Sequence, residues 1–127
     1  MNAPSLILAE SGPLRPPEAE VQHVNLVQLL GVLQKDPEIL DHHRGKMARL
    51  YLITSEAFRD EYGELTNNVQ SHILTALGSW AIMAGTHLIK GNVLYVEGRL
   101  VHNSFCDRLG VRRILTEVKL HKLKIIR

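Results

Sequence analysis

Only one cysteine, Cys106, occurs in these 127 residues. An internal disulfide and a cysteine-based zinc site are therefore excluded, which fits a reducing compartment. Long apolar runs are missing as well, since none approaches the ~20 residues of a membrane helix. The Leu6-Ile7-Leu8-Ala9 run is too short for a signal-peptide core and has no basic residue before it. These absences lead to the expectation of a cytoplasmic protein. Seven histidines are present, yet none shows the helical or CxxC-type spacing that marks a zinc site, so no metal and no cofactor are expected. The chain also has no Gly-rich phosphate loop, no Gly-x-Ser-x-Gly elbow and no zincin motif. Asp36 and Glu38 flank a proline that places them in a turn, with no nucleophile or metal ligand near them in sequence. Such a chain does not read as an enzyme.

Proline is scarce beyond the first 21 residues, which hold four of the five, with Pro16 and Pro17 adjacent. Because proline fixes φ and lacks an N–H donor, residues 1–22 read as a mobile Pro-rich N-terminal arm and residues 23–127 as the single folded domain. Aromatic residues are only 5% of the chain, and Phe58 and Phe105 are the only phenylalanines. Net charge is small at +2, but it is unevenly placed. From Gly98 to Arg127, eight basic residues stand against Asp107 and Glu117, a local balance of +6. A cationic half of this kind suits a polyanionic partner, or is a solvated face without function.

What is there is mostly strand. Val24 to Leu30 is apolar on both sides before Gly31, which predicts a first strand buried in a sheet or at a subunit contact. Asp36-Pro37 and the His42 to Gly45 region read as turns, and Lys46 to Ser55 as the second strand. The polar segment Arg59 to Gln70 reads as a hairpin tip, and Ser71 to Ala76 as the third strand. Trp80, Met83, Ala84, His87 and Leu88 share one face of a helix, which predicts packing over the sheet. A fourth strand runs from Val93 to His102, with Gly98 expected at a bend or bulge, and a last strand from about Arg113 to Ile125. Five strands with one helix between the third and fourth is the order of the OB-fold, an all-β, five-stranded Greek-key barrel.

Several segments then match a known pattern in order and with almost no gaps. They are Val24-Asn25, Gly31 to Glu38, Thr54-Ser55-Glu56 to Asp60, His72 with Gly78, Lys90-Gly91 to Gly98-Arg99-Leu100, and Thr116-Glu117-Val118. Over roughly residues 23–120 the chain resembles bacterial-type single-stranded DNA-binding proteins. The resemblance implies that a single strand crosses the barrel with bases stacked on rings and phosphates held by lysine and arginine. It implies stacking positions at Phe58 and Phe105, and phosphate contacts from Arg59, Lys90 and Arg113, with Arg49, Arg99 and Arg112 as substitutes for altered basic positions. Two further stacking positions carry Ser71 and Leu77 instead of rings, so binding weaker than typical is expected. His72 matches a subunit-contact position, with a satisfied core histidine as the alternative, and Val24 and Leu26 join it in an expected oligomer interface. Dimers, and homotetramers built from them, are implied. The family's acidic-tipped extension has no counterpart in Lys122 to Arg127, which puts recruitment of replication and repair proteins by that route in doubt.

The expected function is sequence-nonspecific single-stranded DNA binding in replication, repair or recombination, with no membrane and no small-molecule substrate. The alternative is an OB-fold interaction subunit of a primosome-like or mixed assembly with weak DNA binding; RNA or sugar binding also stays open.

Overall fold

The computed structural model describes residues 21–127. The predicted arm, residues 1–22, lies almost wholly outside them. The described chain forms β1 (Val27–Leu33), β2 (Glu38–His42), β3 (Gly45–Arg59), β4 (Leu65–Leu77), α1 (Ser79–His87), β5 (Val93–Cys106) and β6 (Arg112–Ile125).

Five of these strands close a ring. β1 pairs with β5, β5 with β6, β6 with β4, β4 with β3, and β3 returns to β1 through Val32↔Ile53 and Leu33↔Leu52. All these pairs are antiparallel except β4–β6. With the helix between the third and fourth barrel strands, this is the expected OB-fold. β2 pairs only with β3 and widens the sheet at its margin.

Closure is decided by two glycines. At Gly31 a side-chain carbon would lie 2.2 Å from the Ile53 carbonyl oxygen, where β1 turns onto β3. At Gly98 it would lie 2.3 Å from the Lys119 carbonyl oxygen. The β5–β6 register slips between Glu97 and Gly98, which is the bulge expected from a glycine inside a strand. Inside the ring, alternation buries Ala48, Leu50 and Leu52 of β3, Leu74 and Ala76 of β4, and Leu94 and Val96 of β5. Ala81 and Ala84 of α1 are fully buried, and Trp80 and Met83 pack against the core. The small alanines let the helix approach the barrel closely. His87, expected on this face, is exposed instead.

Four boundaries differ from the sequence reading. The first strand is Val27–Leu33, so Gly31 lies inside it and Val24 and Leu26 precede it. β2 was not anticipated. The region read as a hairpin tip is mostly paired strand, in unbroken register from Met47↔Leu77 to Arg59↔Leu65. Only residues 60–64 form the turn, so the third barrel strand starts at Leu65 rather than Ser71. Likewise β5 continues past His102 to Cys106. The result is two long two-stranded arms, β3–β4 and β5–β6, that run beyond the barrel.

Candidate nucleic-acid interface

The bulge at Gly98 sets which side chains of β5 and β6 face outward. Beyond it, Arg99 pairs with Lys119, Val101 with Glu117, Asn103 with Leu115 and Phe105 with Arg113. Strand alternation puts these pairs on one face. From the other side of the barrel, Arg49 pairs with Thr75, and Thr75 pairs with Lys119 across the parallel β4–β6 contact. Arg49, Thr75, Lys119 and Arg99 therefore form a lateral row over four adjacent strands. Like charges opposite each other, as in Arg99 and Lys119, destabilise a sheet slightly unless an anion is near.

A recess of about 250 Å³ opens on this row, lined by Met47, Arg49, Thr75, Leu77, Arg99, Val101, Asn103, Glu117 and Lys119. Its floor holds Glu117, only 8% exposed. Thr75 Oγ1 donates to one carboxylate oxygen of Glu117, and Asn103 Nδ2 donates to the other at 2.7 Å. Arg49 Nε is buried without an acceptor among the described residues.

Phe105 continues the row along the β5–β6 arm and is 50% exposed. Its cross-strand partner Arg113 places Nε 2.9 Å from Asp107 Oδ2. Asp107 also accepts the backbone N–H groups of Leu109 and Val111, which ties the arm's turn together. Arg113 and then Val111 hold the Asp107 carboxyl below its ordinary 3.8. A carboxylate with a depressed folded pKa contributes stability above its unfolded value and loses it as pH falls through the folded value. Protection of the amides at residues 109–113, their exchange relative to that of an unfolded chain at the same pH, should therefore fall below about pH 4 and stay constant between about pH 5 and 8. An Asp107→Ala chain should show the acid behaviour at neutral pH, and unchanged exchange there would contradict the assigned role.

Phe58, at 47% exposure, stands on the β3–β4 arm. Strand alternation places it on the face of β3 that carries Leu50 and Leu52, with Thr66 opposite, whereas Arg49 and Arg59 belong to the other face. The two rings are thus both open to solvent but are not on one continuous face with the cations. Arg59 Nη1 donates to the Gly63 carbonyl at 2.9 Å, across the arm's turn. Arg112 falls on the face of β6 opposite to Arg113 and pairs with Cys106, which is exposed. Lys90 lies in the turn before β5, where its backbone N–H donates to Asp36 Oδ1 at 2.8 Å, and it does not line the recess.

The expected interface residues divide. Val24 and Leu26 are 86% and 56% exposed, continuous in sequence with the outward-facing Leu30 and Val32 of β1. His72 is half-buried and hydrogen-bonded to Thr54 Oγ1 at 2.8 Å within the chain. Lys119, Glu117 and Asn103 were not singled out as site residues. Lys119 was visible only as one of eight cations, and nothing short of the register placed it opposite Arg99. Among the described residues no group of three or more histidine, cysteine or acidic side chains could hold a metal ion, and no helix is long and apolar enough to cross a membrane.

An OB barrel with two long arms and a cationic outer recess defines a class of polyanion-binding modules. The chain belongs to the single-strand binding protein family, whose model matches residues 24–126. Its fold is similar to that of the Plasmodium falciparum SSB in complex with ssDNA, at 23% identity and a TM-score of 0.77, covering 85% of this chain and 99% of that one. It is also similar to a deletion mutant of the single-stranded DNA binding protein from Thermus aquaticus, at 28% identity and a TM-score of 0.73. That match covers 82% of this chain and 51% of the other, so the chain spans about half of the Thermus protein's length.

Proposed function

We propose that residues 23–127 form a non-enzymatic module that binds single-stranded DNA by base stacking and phosphate contacts, without reading an extended sequence. The observation that carries this is the row Arg49, Lys119 and Arg99 on one outer face, extended by Phe105 and Arg113. Each nucleotide offers a phosphate and a π face whatever its base, so such a surface is tolerant of sequence. Arg113 must exchange Asp107 for a phosphate, and Arg59, Lys90 and Arg112 act from outside the row. Replication, repair or recombination in the cytoplasm are the settings this activity serves.

The chain acts as a homo-oligomer, a dimer or a tetramer built from two dimers, through Val24, Leu26 and the exposed outer stripe of β1. Leu30 and Val32 remain 60% and 43% exposed there, an apolar surface suited to a second copy. His72 joins this contact from β4, with one ring nitrogen, Nε2, bonded to Thr54 Oγ1 within the chain.

Titration of labelled oligo-dT at two salt concentrations tests the binding reading. The logarithm of the affinity should fall with the logarithm of salt by roughly 0.7 per phosphate contact, and duplex DNA should compete poorly. A salt-independent affinity, or equal competition by duplex, would reject it. One observation favours the interaction-subunit reading: Ser71 and Leu77 occupy two positions where the family stacks bases. That reading is separated by the ring substitutions discussed below.

A further inference from the structure

We propose that the recess on the outer face is a nucleobase subsite that selects cytosine over thymine in the bound strand. The inference rests on the single-stranded DNA reading and adds a preference at one position of the strand. Met47 and Leu77 line it with apolar side chains from β3 and β4, and Val101 with the polar Asn103 line it from β5. Met47 and Leu77 are cross-strand partners, and leucine at this position leaves open a space that a ring would fill. The volume of about 250 Å³ admits one pyrimidine.

The polar groups give the recess its chemistry. Glu117 is the one buried charged residue among those described. Burying a carboxylate is costly unless it is hydrogen-bonded, and Thr75 and Asn103 satisfy one site on each oxygen. A carboxylate offers about four acceptor sites, so capacity for a further donor remains. Cytosine presents its N4 amino group as such a donor, and carboxylate pairing with cytosine N4 is a standard readout. Thymine presents O4 at the same place, an acceptor facing a negative charge. Arg49 lines the same recess and brings its positive charge to it. Arg99 and Lys119 stand beside it to hold the flanking phosphates.

The test compares oligo-dC, oligo-dT and oligo-dU of equal length on the full chain, at mildly alkaline pH and low salt. Oligo-dC should bind about tenfold tighter than oligo-dT, and oligo-dU should resemble oligo-dT. If oligo-dU instead matches oligo-dC, the thymine methyl rather than the carboxylate discriminates, and the proposal is overturned. Glu117→Gln should bring the dC/dT ratio close to one. Because that residue is buried and its loss can unfold the chain, Leu77→Phe provides a second route: its ring occupies the recess without touching the Glu117 hydrogen bonds and should abolish the ratio, while as a stacking surface it tightens binding of both strands. A ratio that survives both changes overturns the subsite. Equal binding of dC and dT by the natural chain overturns it too while leaving the binding reading intact, whereas no binding of either overturns both.

Discussion

Alanine at Phe58 and Phe105 together is expected to weaken binding of labelled oligo-dT by at least about thirtyfold. Loss of one base-stacking ring costs roughly 1 to 3 kcal/mol. The rings sit on different arms with no shared partner, so their losses should add, to about 2 to 6 kcal/mol, or roughly 30-fold to 10⁴-fold. The single substitutions should be unequal. Phe105 shares its face with Arg113 and Arg99, so a base stacked there has cations beside its phosphates. Phe58 lies on the opposite face of its strand from Arg49 and Arg59. Both rings are about half exposed, at 47% and 50%, so the melting temperature should scarcely move. That makes the variant a test of function rather than of folding. A folded double variant with unchanged affinity would remove the stacking mechanism and transfer support to the protein-interaction reading.

A large loss of stability is expected from Gly98→Ala. The added carbon would lie 2.3 Å from the Lys119 carbonyl oxygen and 2.8 Å from Val118 Cγ1. Backbone cannot rotate away as a side-chain end can, so relief requires β5 and β6 to separate at the bulge. Overpacking of a tight interior costs about 1 to 3 kcal/mol, and a backbone clash belongs at or above the upper end. At roughly 4 to 8 °C per kcal/mol for a domain of this size, thermal unfolding should occur some 10 to 20 °C lower. Gly85→Ala in α1 is the matched control. Its nearest neighbour is the flexible Ile39 Cδ1 at 3.2 Å, and alanine gains up to about 1 kcal/mol in helix propensity. A Gly98→Ala protein melting within a few degrees of the natural chain would show that the closing strands have room the geometry denies them. Since the bulge also sets which face carries Arg99 and Phe105, salt-dependent DNA affinity should fall along with stability.

These two sites differ in how visible they were beforehand. Gly98 stood out because a glycine among Val93, Leu94, Tyr95 and Val96 has few uses other than a bend. The arms did not stand out. Residues 59–70 are polar because both faces of a free two-stranded ribbon meet water, so the alternation that reveals a half-buried strand is missing. β2 was hidden by its length of five residues and by the Asp36-Pro37 turn before it. The helix was legible from Trp80, Met83 and Ala84, but His87 followed the same spacing and still faces water as the last residue of α1.

Local residue chemistry thus determined the number of barrel strands, the helix, the bulge, the paucity of rings and the cationic character of the second half. Those properties depend on near neighbours in sequence, for which turn residues, side-chain period and charge are direct evidence. The tertiary structure alone decided which cations share a face and where a recess opens. Arg49, Lys119 and Arg99 are separated by up to 70 residues and meet only through the parallel β4–β6 contact and a one-residue slip at Gly98. A shift of one position in a strand exchanges its two faces, so no reading of spacing within a segment could assign them.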